Sequence, residues 1–487
     1  MSTTTFTHPR TRVTRRRVSS KQATWLGFAV VIVASVMDLL DSTIAQTAAP
    51  AIRRDLGGSY ADLEWITAAY TLAMAAMLML GGRLGDAFGR RRVLLVGIAG
   101  FVGASIVCAV TPSPATLIAA RAAQGAIAAV MVPQCFGLTR ELFGDEGQQR
   151  AFAVFGPIMG LAAVLGPLLG GGLVNLDVLG LGWRAIFLVN VPFGILAIAA
   201  GRRFLPRSVP ASPGARLDPP SVVLAMVAGV ALVYPLIQGR QNGWPAWSFA
   251  LIALGLAALG AFGALQGRRA RQGHTPLVEP SILRRRPYVA GLAVVLGFIG
   301  AMGGMMIALN VMFQTGLGFT PLACGVATLA IPLFAIAGSI TSSALLTRIG
   351  RTTMHIGITT MALGLVVVDL VLRAAGGAVS AWELAGPLAI TGFGMGMVFV
   401  PMFDVILAGV APRELGSASG LLESVQQLAM SLGIAIVGTV LFDRLGAGHG
   451  PAAFVGAADH ALLAAVAFLA AACAAVFWLP KHARAAH

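Results

Sequence analysis

Charge is what this sequence lacks. Only 11% of its 487 residues are charged, against about 25% in an ordinary soluble domain, so most of the chain cannot present a water-facing surface. Acids are scarcest, with 19 Asp and Glu against 34 Lys and Arg. Cysteine is nearly absent. Cys108, Cys135, Cys324 and Cys473 fall in four different apolar segments without CxxC spacing. That spacing excludes a metal cluster and argues against a disulfide framework, leaving buried thiols that pack as small apolar groups. No nucleophile–base set, metal-ligand set or nucleotide loop is present, so neither an enzyme nor a bound cofactor is expected.

What the chain has in abundance is hydrocarbon: 57% of residues are hydrophobic and the mean hydropathy is +0.84. A membrane-spanning helix needs about 20 apolar residues, and fourteen such runs lie between residues 24 and 479. The expected fold is therefore an all-α polytopic membrane protein with 14 transmembrane helices. The net charge of +15 is then a topology signal rather than a sign of nucleic-acid binding, because the arginines are scattered between hydrophobic spans. Of the 34 basic residues, 27 fall on one set of alternate connections. Arg53, Arg54, Arg184, Arg240, Arg373 and Arg444 fall on the other, and Arg121 lies inside the fourth span. Such a bias places both termini in the cytosol.

The basic start, MSTTTFTHPRTRVTRRRVSSK, loosely suggests a twin-arginine signal, but the apolar run after it is too long for a signal-peptide core. It is expected to be a disordered basic cytosolic tail, residues 1–23. Two arginine-rich connections bracket the seventh and eighth spans. They divide the chain into a six-helix bundle (24–204), two linker helices with basic loops (205–287), a second six-helix bundle (288–480) and a short cytosolic tail (481–487). Transporters are commonly built from two such halves around a site near the bilayer midplane.

Against this background the segment ASVMDLLDST (34–43) is anomalous. Asp38 and Asp41 stand three residues apart on one face of the first helix, about 20 and 24 Å along it from Trp25. Two carboxylates this close in a low dielectric disfavour double ionisation, the property a proton carrier needs. A polar pair that holds water, or a salt bridge to Arg121, is the plainer alternative. Arg121, in LIAARAAQGAIAAV, costs roughly 2.5–3.5 kcal/mol to insert, so it should face the interior and find a counter-charge. Glu423 sits well inside the thirteenth span and is a further candidate for proton or substrate binding, with Asp404 a weaker one. Asp369 is expected to pair with Arg373 one turn on, and Asp62 and Glu64 to serve the N-terminus of the second helix at the surface.

Two methionine- and glycine-rich stretches, GAMGGMMIALNVMF (300–313) and GMGMVFVPMF (394–403), suit a pocket that accepts varied apolar molecules, or ordinary membrane packing. The residues expected to line a substrate site are Asp38, Gln46, Asn190, Met306, Asn310, Gln314, Met397, Phe399 and Glu423.

Several motifs then converge. GRLGDAFGRRRVLL (82–95) is a glycine-permitted turn locked to the inner face by arginines. Arg121, Gln124 and Gly125 form R-x-x-Q-G, and Gly166, Pro167, Gly170 and Gly171 form G-P-x-x-G-G. LLDSTIAQTAAPAI and WRAIFLVNVPFG (183–194) complete the set. Together they closely resemble the signatures of the major facilitator superfamily, and with fourteen spans they resemble its drug:proton antiporter branch of quaternary-ammonium and antibiotic exporters. The resemblance covers the chain after residue 23 and is strongest in the first half. The second half carries only a degenerate copy of the turn, LLTRIGRTTMH (345–355).

The resemblance implies a gating latch made of Gly82, Arg83, Gly85, Asp86, Gly89, Arg90 and Arg91, with Ala87 departing from the basic residue of the pattern. It implies an antiporter motif at Gly166, Pro167, Gly170 and Gly171. Proton coupling would fall to Asp41, Asp38, Arg121 and Glu423, driven by the proton gradient without a cofactor. The expected partners are a small amphipathic substrate, protons and membrane lipid, with no nucleic acid. The chain is expected to work as a monomer in the cell's inner (plasma) membrane. Two other functions stay open: a proton-coupled symporter importing small solutes or peptides, and a membrane receptor or channel that does not transport.

Overall fold

The structure is a computed structural model, and it describes residues 21–177, 180–207, 218–272, 276–375, 379–407, 410, 415–446, 448 and 450–480. The expectations for the two tails therefore fall almost wholly outside the described residues. Those residues form helices joined by short turns, with no strand among them. Helical hydrogen bonding satisfies every backbone group within one segment, and hydrocarbon demands this of any chain that crosses it.

Among the described residues, fourteen helices are long and apolar enough to cross a membrane. They are α1 (Lys21–Leu56), α2 (Tyr60–Phe88), α3 (Arg90–Val110), α4 (Pro114–Gly144), α5 (Ile158–Asn175), α6 (Gly182–Phe204) and α7 (Pro220–Gly239). The rest are α8 (Ala246–Arg271), α9 (Arg286–Gly316), α10 (Pro321–Leu346), α11 (Thr352–Ala375), α12 (Ala381–Phe403), α13 (Ala418–Leu445) and α14 (Pro451–Val476). The fourteen spans read from hydropathy are thus present, with shifted ends. α1 starts three residues earlier than the apolar run and continues through Pro50 to carry Arg53 and Arg54. Helical backbone also runs on past the end of α4, where only Gly144, at φ 68° and ψ −179°, leaves the helical region.

α2 starts at a capping box. Ser59 Oγ accepts from the Asp62 amide at 3.2 Å, and Asp62 returns a bond to the Ser59 amide at 2.7 Å, an arrangement worth about 0.5–2 kcal/mol. Asp62 thus serves the helix start as expected. Glu64 does not, because two residues further on a helix turns by about 200°. Its side chain is fully buried against Gly438 of α13.

α1–α6 pack around one another, as do α9–α14, while α7 and α8 pair beside α2 and α13. A repeat relates the halves at one detail. Arg91, starting α3, donates to the Arg202 carbonyl at the end of α6. Arg351, just before α11, donates to the carbonyls of Phe477 (2.6 Å) and Leu479 at the end of α14. Each arginine satisfies orphan carbonyls at a helix C-terminus, so the degenerate turn of the second half keeps this function. The basic connection after α8 is also anchored. Gln266 accepts from the Leu277 amide at 2.8 Å, and Arg83 of α2 reaches the Pro276 carbonyl at 2.8 Å.

The halves meet at the end of the molecule that carries the α1–α2 and α9–α10 junctions. There Gln314 donates to the Thr47 carbonyl at 2.6 Å, and the rings of Tyr60 and Phe442 stack with centroids 4.4 Å apart. Deeper in, Thr71 and Ser431 hydroxyls bond at 2.5 Å. Towards the opposite end the seam loosens: a methyl placed on Gly420 would meet only the Met79 side chain, 3.9 Å away.

Close packing of α2 on α4 depends on glycine. A methyl built on Gly125 would lie under 3.0 Å from the Tyr70 carbonyl oxygen, whereas one on Gly103 meets nothing within 4 Å. Gly125→Val should therefore lower stability by about 1–3 kcal/mol through overpacking, and Gly103→Val should not. Thermal unfolding of the two variants in detergent checks this.

Candidate functional site

The buried acid of α1 is held by four other helices of its half. Arg121 of α4 donates to Asp41 Oδ2 at 2.5 Å, and both side chains are 1% exposed. Gln124 Nε2 and Asn190 Nδ2 each donate to Asp41 Oδ1 at 2.8 Å. Ser105 of α3 accepts from both amides, at 3.0 and 3.2 Å. The guanidinium also donates to Gln124 Oε1 at 2.7 Å and, through Nε, to the Ile66 carbonyl of α2 at 3.2 Å. A charge buried here needs this density of partners, because the low dielectric makes any unpaired member expensive.

Tyr70 of α2 extends the cluster. Its ring lies under the Arg121 guanidinium, 4.3 Å from the centroid, a cation–π contact that strengthens when desolvated. Its hydroxyl donates to Asp38 Oδ1. Asp38, Tyr70, Arg121 and Asp41 thus form one connected run. Asp41 lies at its sealed end and Asp38, half-buried, at its open end. In the other half, the half-buried Glu423 of α13 accepts from Gln426 at 3.3 Å. Sequence reasoning missed Tyr70. The available signal was that it is one of only four tyrosines and that a buried tyrosine hydroxyl seeks a partner.

The remaining candidates separate by depth. Asn190, expected to line a substrate site, is 2% exposed and donates to Asp41. Met397 is also only 2% exposed and packs over Gly357 of α11. Gln314 ties the two halves together. Gln46 and Asn310 line, with Thr67, a cavity of about 10 Å³ in the closed seam, room for about one water. Met306 is partly buried on the second-half core, and Phe399 is 40% exposed and stands edge-on to Phe403. The Asp404 side chain lies outside the described residues. Asp369 accepts from Arg373 at 2.8 Å as expected, and the same arginine also holds Asp459. The four cysteines are free, three of them buried and Cys473 half-buried, 3.2 Å from His355 Nδ1.

The latch residues form a tight corner. Gly89, at φ 89° and ψ 125°, is the single residue between α2 and α3, a left-handed position that favours glycine. Asp86 stands in the last turn of α2 and pairs with Arg90, the first residue of α3, at 3.2 Å. Gly85 abuts Gln134, and the Arg90 side chain crosses Gly137 of α4. Gly82 leaves open space beside it. In the second motif, Gly166 lies on Thr43 and Gly170 on Ile44, both of α1, while Gly171 meets α10.

Two helical bundles that meet at one end, with a charged cluster buried inside the first, give the chain the architecture of a membrane transporter. The family model described as Major Facilitator Superfamily matches residues 31–434, and the chain belongs to that family. It is an integral transporter of the cell membrane and not an enzyme. It is 42% identical to a "Probable actinorhodin transporter" of Streptomyces coelicolor, over 87% of this chain and 73% of that protein. It is 35% identical to "Puromycin resistance protein pur8" of Streptomyces alboniger, over 91% and 88% of the two chains. "Multidrug efflux pump LfrA" of Mycolicibacterium smegmatis is 30% identical over 85% and 80%. Among solved structures, an auto-inhibited POT family peptide transporter superposes with a TM-score of 0.64 at 19% identity, covering 92% of this chain and 96% of that one. At that identity the likeness shows the fold alone.

Removing one partner of the buried pair should be worse than removing both. Asp41→Leu or Arg121→Met alone should lower stability by about 3–5 kcal/mol, and the double variant should recover most of that loss. Thermal unfolding of the three proteins in detergent reads the coupling.

Proposed function

We propose that this protein is a proton-coupled antiporter that exports amphipathic, cationic or aromatic drugs or antibiotics by alternating access. The observation that carries the reading is the buried run Asp38–Tyr70–Arg121–Asp41, two acids joined through a tyrosine and an arginine inside the membrane-spanning helices. The antibiotic and multidrug exporters among its relatives support the direction of transport. The peptide transporters share its fold at low identity and so lend the importer reading no comparable support.

In this reading the seam formed by Thr47, Gln314, Tyr60 and Phe442 is the outer end, following the positive-inside bias, and the conformation is inward-facing. Asp38 and Glu423 lie where a proton or a cationic group can reach them from the cytosolic side. A lipophilic cation that binds there displaces protons, and protons that bind from outside displace the cation, so inward proton flow drives export. Both oxygens of Asp41 are occupied by Arg121, Gln124 and Asn190. Asp41 can therefore take a proton only when Arg121 moves away, which links its protonation to rearrangement of the half. Tyr70 connects the two acids, since its ring holds the arginine and its hydroxyl holds Asp38. The cycle needs no bound cofactor, and lipid surrounds a monomeric unit.

Asp41→Asn should abolish efflux driven by a pH gradient in everted vesicles while the protein remains folded and inserted. Undiminished efflux would remove Asp41 from the mechanism. Asp38→Asn should reduce efflux of a cationic dye by roughly tenfold, about 1.4 kcal/mol, and spare a neutral substrate. Equal losses on both would deny Asp38 its role in charge selection. A panel of dyes, biocides and antibiotics run in the same vesicles tests the substrate class.

A further inference from the structure

Sequence motifs account for Arg121, Gln124 and Asn190 around Asp41, but none marks Ser105. It stands in the apolar run GFVGASIVCAV of α3 and has no exposed surface. A side-chain amide nitrogen carries two hydrogens, and a hydroxyl oxygen has two lone pairs. Gln124 Nε2 and Asn190 Nδ2 each send one hydrogen to Asp41 Oδ1 and the other to Ser105 Oγ, the latter at 3.0 and 3.2 Å. One serine thus takes the second hydrogen of both amides. The oxygen end of Gln124 is fixed as well, by Arg121 at 2.7 Å and by the Cys108 thiol at 3.5 Å. Cys108 follows Ser105 by three residues and so lies on the same face of α3.

Resting on the reading of Asp41 as a proton site, we propose that Ser105 is a positioning residue: it keeps the N–H groups of Gln124 and Asn190 turned to Asp41 and so holds that acid ionised. Hydrogen bonds donated to a carboxylate favour its charged form. A protonated Asp41 needs an acceptor instead, and an amide that turned its oxygen to the acid would withdraw a hydrogen from Ser105. A bond lost at that depth is costly, because no water replaces it. Without the hydroxyl the turn gives up nothing, and the ionised form loses its advantage. The charged or titratable side chains around Asp41 are Arg121 on α4, Tyr70 on α2, Cys108 on α3 and Asp38 on α1. α5 has no titratable side chain, and the arginines of α6 lie at its ends. Replacing Ser105 alters none of them.

The test follows the protonated carboxyl band of Asp41 by infrared spectroscopy on the full chain in detergent, identified as the band that Asp41→Asn removes. Ser105→Ala should raise the pH of half-protonation by about one unit or more, roughly a tenfold gain in proton affinity. Alanine is smaller than serine and favours a helix, so this variant keeps its fold. Ser105→Thr retains the hydroxyl and should titrate with the parent. Ser342→Ala removes another buried hydroxyl, one that donates to the Ser339 carbonyl of its own helix at 3.0 Å, and should leave the midpoint unmoved. A merely structural serine would lower thermal stability without moving the midpoint, and that result in Ser105→Ala overturns the proposal. A threonine variant that titrates with the alanine one also overturns it, as does an equal shift in Ser342→Ala. So does a band absent from both the parent and Ser105→Ala at every pH the protein survives. Efflux from everted vesicles is measured in parallel. Normal export by Asp41→Asn, with the Ser105→Ala shift intact, would refute the transport role of Asp41 and leave the positioning role standing.

Discussion

The structure of the first half is organised around one ion pair, Asp41 with Arg121, placed where the solvent has been replaced by hydrocarbon and protein. Neither charge is tolerable alone at that depth. The consequence is visible in what surrounds them: amides from α4 and α6, a hydroxyl from α3, a carbonyl and an aromatic face from α2. Five of the six helices of this half contribute an atom to keep two atoms charged. Polar groups that are each bonded to a neighbour specify one arrangement of helices more sharply than apolar contacts do. Any rearrangement of the bundle must also break or transfer those bonds.

This dependence explains which parts of the site were legible in the sequence. An arginine inside an apolar run must find an acid, so a salt bridge from Arg121 to the Asp38–Asp41 pair could be named as one alternative, but not which acid would make it. The fourteen spans were legible for the same energetic reason, since hydrocarbon admits only long apolar helices. Helix ends were less so: α1 extends beyond its apolar run, and helical backbone continues past Gly144. Side-chain direction was harder still. Glu64 follows Asp62 by two residues, and that step turned it from a helix start into the interface with α13. Asn190 and Met397 carry chemistry suited to a binding site, but their positions within each bundle spend that chemistry internally.

Interface positions were the least legible, because an interface between two halves is a property of a conformation as well as of a sequence. Gln46, Asn310 and Gln314 lie in the closed seam, where the free space amounts to about one water. A sequence lists such residues without saying in which state they are exposed. Gly171 is more informative here, because it lies against the backbone of α10 in the other half, a contact that belongs to the closed seam.

One further consequence follows from α2. It runs unbroken from Tyr60 to Phe88, about 43 Å at helical rise. Along that length it touches the seam through Tyr60, the charged cluster through Tyr70 and the α8–α9 connection through Arg83. The helix has neither proline nor a backbone break in its interior, so a tilt about Tyr70 would carry both of its ends. A tilt of about 10° there would move Tyr60 by about 3 Å and Phe88 by about 5 Å in the opposite sense. A change of charge state at the fulcrum could thus open one mouth of the transporter by the same motion that closes the other.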